Sequence, residues 1–420
     1  MRAFAEIVRL ELRALVRSKT LALLIVAGAA WTLGFPRLVT GDGTAEGLRE
    51  LTLRFSLGGV FALVALALLA SATGSLARER AARRLQLTQV RPVRFFALAL
   101  GKIAAHVLVG AFVLALACAA LALTEDLARP CRHVLSPAMP SPREEAEAMY
   151  DWYMKSPETP SAVKAAKREV VIRLLETKAV DRYQSVRTNE TARWTFPGFG
   201  GGDAATVRLR FTNAYEMRQE IRGDFSVGAL GGSVSNFTQA VVEVPLAPVA
   251  GKTEGTNELV FVNRGAGAVM LRPRRDIHLL VAADSFGANL VRTYVVLVAL
   301  LALVVAFGVF LSAGLSRPVA LFTAFVVLAV SEMSPSVLTE YPDQLETDRL
   351  DRWGLAVARV AAQATEPVSS ASPLEALAKD ECVEPAAVVR LILADLVLTP
   401  LVFSFLAGIL LPRKQDPTCS

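Results

Sequence analysis

The sequence predicts an α-helical polytopic membrane protein, with six transmembrane helices and an inserted extracytoplasmic α+β domain built as an antiparallel β-sandwich. Three observations lead to this class. Hydrophobic residues fill 53% of the 420 positions and charged residues only 20%, and the mean hydropathy is +0.43, a balance that points to lipid as a solvent. The apolar residues are gathered into stretches of about 20, the length that crosses roughly 30 Å of hydrocarbon at 1.5 Å per residue. Between two groups of these stretches lies a long polar segment whose texture changes from helical to alternating.

The chain opens with a helix-period segment over residues 1–19. Phe4, Ile7, Val8, Leu12, Leu15 and Val16 share one face, while Arg2, Glu6, Arg9, Arg13 and Arg17 project elsewhere, the pattern of an interfacial helix on the cytoplasmic leaflet. A cleaved signal peptide is a poorer match, because the charged part is long and Pro36-Arg37 follows the apolar run without a small-residue cleavage site. Residues 20–123 hold three spans, at Thr20–Val39, Phe55–Leu76 and Ile103–Leu123. The loop 77–102 between the second and third carries Arg78, Arg80, Arg83, Arg84, Arg91, Arg94 and Lys102. A short loop this basic stays in the cytoplasm, which places the N-terminus there and sends the third span outward. Residues 124–289 are then extracytoplasmic, residues 290–338 hold the fourth and fifth spans, and 339–387 form a second outer loop with an interfacial helix. Residues 388–420 make the sixth span and a tail in which Arg413 and Lys414 belong inside. The fifth span, Val319–Leu338, is cleanly apolar only to Val330, but an inside C-terminus requires an even number of crossings. Asp343, Glu346, Asp348, Asp351 and Glu366 exclude a further lipid-exposed helix.

Within the outer domain, helices are expected over 142–183, where Val163, Val170, Leu174 and Leu175 offer an apolar side. From 194 to 282 short alternating runs bounded by glycine indicate strands at Val207–Phe211, Phe225–Val227, Val241–Val244, Leu259–Val262, Val269–Leu271 and Ile277–Val281. Short strands at this spacing favour a sandwich, and function does not follow from that fold.

The cytoplasmic loop has an ordered pattern: Glu79-Arg80, then Leu85 and Leu87, then Pro92-Val93, then Gly101-Lys102 opening the third span. This resembles the coupling region of type 2 ABC transporter permeases, and looks closest to the permeases linked with multi-copper enzyme maturation. Arg83 and Arg84 stand where that pattern has a Gly-Thr pair, and Thr88 replaces a leucine. The resemblance implies a membrane subunit of an ATP-driven exporter in the bacterial cytoplasmic (inner) membrane, with both termini cytoplasmic. It implies as partners a cytoplasmic ABC ATPase that holds ATP-Mg, a second permease copy or related permease, and membrane lipid. In that reading Glu79, Arg80, Leu85, Leu87, Pro92, Val93, Gly101 and Lys102 carry the ATPase coupling. A non-transport alternative is a membrane-anchored envelope protein whose outer domain binds a partner or transmits a signal.

Other chemistry is poorly represented. Gly251-Lys252-Thr253 lacks the first glycine of a phosphate loop, and Gly198-Phe199-Gly200-Gly201-Gly202 lacks the dinucleotide spacing. No catalytic set, bound cofactor or metal site is expected, since the three histidines and four cysteines form no paired ligand set. The net charge of +6 is explained by topology rather than by nucleic acid. Asp395 is an intramembrane carboxylate. It is either half of a structural ion pair with Arg390, the favoured reading, or part of a substrate pathway. Cys131 and Cys382 both fall outside in this topology, so a disulfide between them is open to the chain.

Overall fold

The computed structural model describes residues 2–40, 45–81, 94–157, 159–164, 168–180, 182–199, 205–212, 219–238, 241–248, 257–340 and 373–413. The chain divides into two compact units: residues 130–284 form one, and the residues before and after them form the other.

The helical unit begins with α1 (Arg2–Arg17). Lys19 takes a left-handed conformation with φ 60°, which turns the chain sharply into α2 (Thr20–Leu38). Next come α3 (Ala45–Ala81) and α4 (Phe95–Thr124). After the other unit follow α9 (Phe286–Gly314) and α10 (Arg317–Glu340). The short α11 (Pro373–Ala378) precedes a continuous final helix. That helix comprises α12 (Pro385–Leu391), a π-helical segment at Ile392–Leu398 and α13 (Thr399–Arg413).

Five of these helices are long and apolar enough to cross a membrane: α2, α3, α4, α9 and the final helix. This is a multi-pass membrane protein by length and composition. The expected fifth span is a helix over Arg317–Glu340, but it is not among these five, and the apolar stretch found in its described part is Arg317–Ala329. The second span is longer than expected. At 37 residues, α3 extends about 55 Å, and its surplus carries Arg49 at one end and Glu79 and Arg80 at the other. The expected interfacial helix of the second outer loop lies outside the described residues over 341–372.

α9 is the central helix, with 67% of its apolar window buried, and it packs on α3, α4 and α13. Small residues permit this closeness. A Cβ on Gly308 of α9 would stand 3.0 Å from Leu69 Cδ1 and 3.2 Å from the Ala72 Cβ of α3, and one on Gly110 of α4 would collide with Leu301 of α9. In lipid, where tails are as apolar as leucine, such close packing replaces the hydrophobic drive between helices.

The second unit contains α5 (Pro142–Lys155), α6 (Ser161–Lys164) and α7 (Arg168–Val180). α5 starts where it does because Ser141 and Glu144 form a reciprocal capping box, with Glu144 N donating to Ser141 Oγ at 3.1 Å and Ser141 N to Glu144 Oε2 at 2.7 Å. The buried face of α7 is Val171, Ile172 and Leu175, packed on Ala146, whereas Val170 is exposed. The expected face was rotated by one position, because the run Val170–Leu175 is apolar over an arc wide enough for two choices.

Ten strands occur among the described residues: β1 (Pro130–Leu135), β2 (Gln184–Val186), β3 (Thr191–Thr195), β4 (Ala205–Arg210), β5 (Glu220–Val227), β6 (Leu230–Phe237), β7 (Val241–Pro248), β8 (Glu258–Asn263), β9 (Val269–Leu271) and β10 (Ile277–Ser285). A four-residue helix, α8 (Pro273–Asp276), precedes β10. Eight strands share one hydrogen-bonded sheet in the order β1-β10-β4-β7-β6-β5-β8-β3, and β2 pairs with β9 separately. β5 and β6 form a hairpin closing at Val227↔Leu230, with Gly228 at φ 51° in the turn. β6 escaped the alternation test because Gly231 and Gly232 interrupt it. Among the described residues, β6 and β7 pair through Leu230↔Pro248 and Gly231↔Ala247. Both halves of the sheet nevertheless feed one core, in which Phe261 lies 5.1 Å from Phe211 and 4.7 Å from Phe225 between ring centroids.

Candidate functional site in the helical unit

Four of the eight residues expected to carry coupling, Glu79, Arg80, Gly101 and Lys102, are described, and they meet at the α1 end of the helical unit. Leu85, Leu87, Pro92 and Val93 lie outside the described residues.

Gly101 and Lys102 act through α1. A Cβ on Gly101 would stand 2.7 Å from Ile7 Cγ2, so the bare backbone of α4 is the surface on which α1 rests. One residue on, the Lys102 ammonium is only 2% exposed and donates to Glu11 Oε2 at 2.9 Å and to Glu79 Oε1 at 2.7 Å. One buried cation thus joins the middle of α1, the end of α3 and the start of α4. A buried ammonium is tolerated only with such partners.

Arg80 turns to a different helix. Its Nη1 donates to Ala313 O at 2.6 Å and its Nη2 to Leu315 O at 2.7 Å. These carbonyls belong to the last turn of α9, where intrahelical donors run out and the helix dipole is negative. A guanidinium supplies both charge and donors.

Deeper in α4, His106 is fully buried and satisfied. Its Nδ1 lies 2.8 Å from Lys102 O, which only an N–H can bond, so Nε2 accepts from Ser71 Oγ at 3.1 Å. Beside this cluster a cleft of about 440 Å³ opens, lined by Glu11, Ser71, Arg78, Glu79, Lys102 and Arg317 among others.

A second polar cluster, which sequence reading did not single out, closes the opposite end of the helical unit. Arg49 of α3 donates to Glu125 Oε2 at 2.6 Å and to both oxygens of Asp380 at 3.0 and 2.9 Å. Arg129 adds an ion pair to Asp380 at 3.0 Å. Asn289 of α9 donates to Glu381 O at 2.7 Å and accepts from Val383 N at 2.8 Å. The one signal in the sequence was charge near the ends of spans, which marks the zone but not the pairing.

Asp395 sits in the π-helical segment, is 5% exposed, and leaves Oδ2 without a hydrogen-bond partner. It makes no ion pair with Arg390, which is exposed. The expected pair is not formed: Asp395 is buried while Arg390 stays exposed, so the two side chains lie in different surroundings. Cys131 and Cys382 are disulfide-bonded, and Cys118 is a buried free thiol. Among the described residues no three His, Cys, Asp or Glu side chains converge as a metal site would require.

No protein-family model matches the chain, and neither does any curated protein or solved structure.

Proposed function

We propose that this chain is the membrane-spanning permease subunit of an ATP-driven ABC transporter, an exporter of the bacterial cytoplasmic membrane working with a separate ATPase and a second permease copy. In this reading the chain has six spans, α10 supplying the sixth crossing where the bilayer thins around its short apolar run and flanking polar residues snorkel to the interface. Both termini are cytoplasmic, and residues 130–284 form an outer sandwich in which β10-β4-β7 face β6-β5-β8-β3.

The observation that carries the proposal is the convergence at Lys102 and Arg80. The segment between α3 and α4 is held at both roots: Glu79 and Arg80 precede it, Gly101 and Lys102 follow it. Through Lys102–Glu11 a push on that segment reaches α1, and through Arg80 it reaches the end of the central helix α9. Rigid junctions of this kind let a small displacement at one surface bias how packed helices are arranged. Among the described residues of the pattern, Glu79, Arg80 and Lys102 are ones whose side chains tie the flanks of that segment to other helices of the unit.

The test is co-purification with an ATPase encoded beside this chain, followed by vesicle transport with and without ATP. Cross-linking from a cysteine placed at Leu85 should capture that ATPase in at least one nucleotide state. Absence of any cross-link, together with ATP-independent behaviour of the vesicles, would overturn the transporter reading and favour an anchored binding or signalling protein.

A further inference from the structure

We infer that the cleft at the α1 end of the helical unit is a binding site for a phosphate anion, the headgroup phosphate of an anionic phospholipid. The inference does not depend on the transporter reading. Arg78, at the end of α3, and Arg317, at the start of α10, both cross the same bare stretch of α3 backbone. A Cβ on Gly74 would stand 3.1 Å from Arg317 Nε and 3.4 Å from Arg78 Nε. Two guanidinium groups over one glycine repel each other and call for a counter-charge.

The described residues do not supply one. Arg78 Nε donates to Gly74 O at 2.9 Å, and among the described residues neither arginine has a carboxylate within ion-pair distance. Both carboxylates that line the cleft, Glu11 and Glu79, bond Lys102, and with Arg78 and Arg317 the lining still holds three cations against two carboxylates. The hydroxyls are committed as well: Ser18 donates to Leu15 O at 2.7 Å and Ser75 to Ala72 O at 2.9 Å. The donors left facing the 440 Å³ cleft are therefore arginine N–H groups, whose planar fork matches two phosphate oxygens at once.

The source of the phosphate follows from α1. It carries an apolar trough of about 670 Å³ lined by Phe4, Val8, Leu12 and Val16 and bordered by Arg9, Arg13 and Arg17. A helix with an apolar trough between arginines lies in the headgroup zone of a bilayer and favours anionic lipid.

The experiment titrates the purified full chain in detergent with phosphatidylglycerol, with phosphatidylcholine of the same acyl chains, and with inorganic phosphate. Bound lipid is read by native mass spectrometry. Phosphatidylglycerol should bind at least about tenfold more tightly than phosphatidylcholine, and Arg78→Gln/Arg317→Gln should lose about that factor, the worth of a charged hydrogen bond. Melting of the lipid-free variant should be unchanged. If the double variant does not fold, Arg317→Gln alone, at an exposed position, tests the same loss. Equal affinity for the two lipids, or equal phosphatidylglycerol affinity in wild type and variant, overturns the site. Saturation by millimolar inorganic phosphate without a lipid preference keeps the anion chemistry and overturns the lipid source.

Discussion

Single residues decide whether the ends of this helical unit hold. Lys102 is the clearest case, since its removal leaves Glu11 and Glu79 close together with no cation between them. Lys102→Met should cost about 3 kcal/mol, the usual penalty for orphaning a buried charge, read as a lowered melting temperature in detergent. Glu79→Gln combined with Lys102→Met should cost less than the sum of the two single changes, because the second change removes the group that the first one stranded. Equal and additive losses would show that the triad is not a unit. Glu243 makes a pH-dependent case in the other unit. Burial raises its pKa, but Arg132 at 2.6 Å and Arg208 at 2.8 Å outweigh that, and the net shift is downward. A depressed carboxylate contributes stability at pH values above its ordinary pKa of 4.5, and that contribution disappears as pH falls through the folded value. The acid limb of unfolding for residues 130–284 should therefore flatten in Glu243→Gln, measured by tryptophan fluorescence between neutral pH and about pH 3.

At the scale of elements, the sequence was most informative about which stretches are helices and least about how they touch. Spans α2, α3, α4, α9 and the final helix were legible because an apolar run of crossing length has few alternatives. The π-helical segment was not, because a widened turn depends on how Asp395 and its neighbours pack rather than on their order. Asn289 illustrates the same point. It reads as an ordinary polar residue at a helix start, yet it clamps the chain at Glu381 and Val383. Asn289→Leu strands a buried amide and a buried carbonyl, and should cost about 2 kcal/mol. Hydrogen exchange at the Val383 amide should accelerate by more than tenfold, while exchange in the middle of α4 should not change. The strands of the second unit divide similarly: β5 and β8 alternate cleanly, whereas β6 is recruited by its hairpin partner despite two glycines.

For the whole molecule, the manner of insertion of residues 130–284 yields a prediction of its own. Phe286 N donates to Arg129 O at 2.7 Å and Gly287 N to Leu127 O at 3.1 Å. The two cut points of the helical unit are therefore neighbours, as they are where domain insertion is tolerated. Replacing residues 130–284 by a short glycine linker, with Cys382→Ser to avoid a free thiol, should leave a helical unit that still inserts and melts cooperatively. Circular dichroism and gel filtration in detergent would test it, and an aggregated or helix-poor product would refute it.

The sequence by itself determined the solvent and the helices: runs of apolar residues can be satisfied only in lipid, and a backbone in lipid must hydrogen-bond within its own helix. It also marked Glu79, Arg80, Gly101 and Lys102 as a group through their resemblance to a coupling pattern. Only the tertiary structure decided what they do. Which carboxylate neutralises Lys102, which helix end Arg80 caps, and that Asp395 does not meet Arg390 all depend on side chains brought together from separate helices. Hydropathy is a property of one segment read alone, whereas an ion pair exists only once two segments share a place in space.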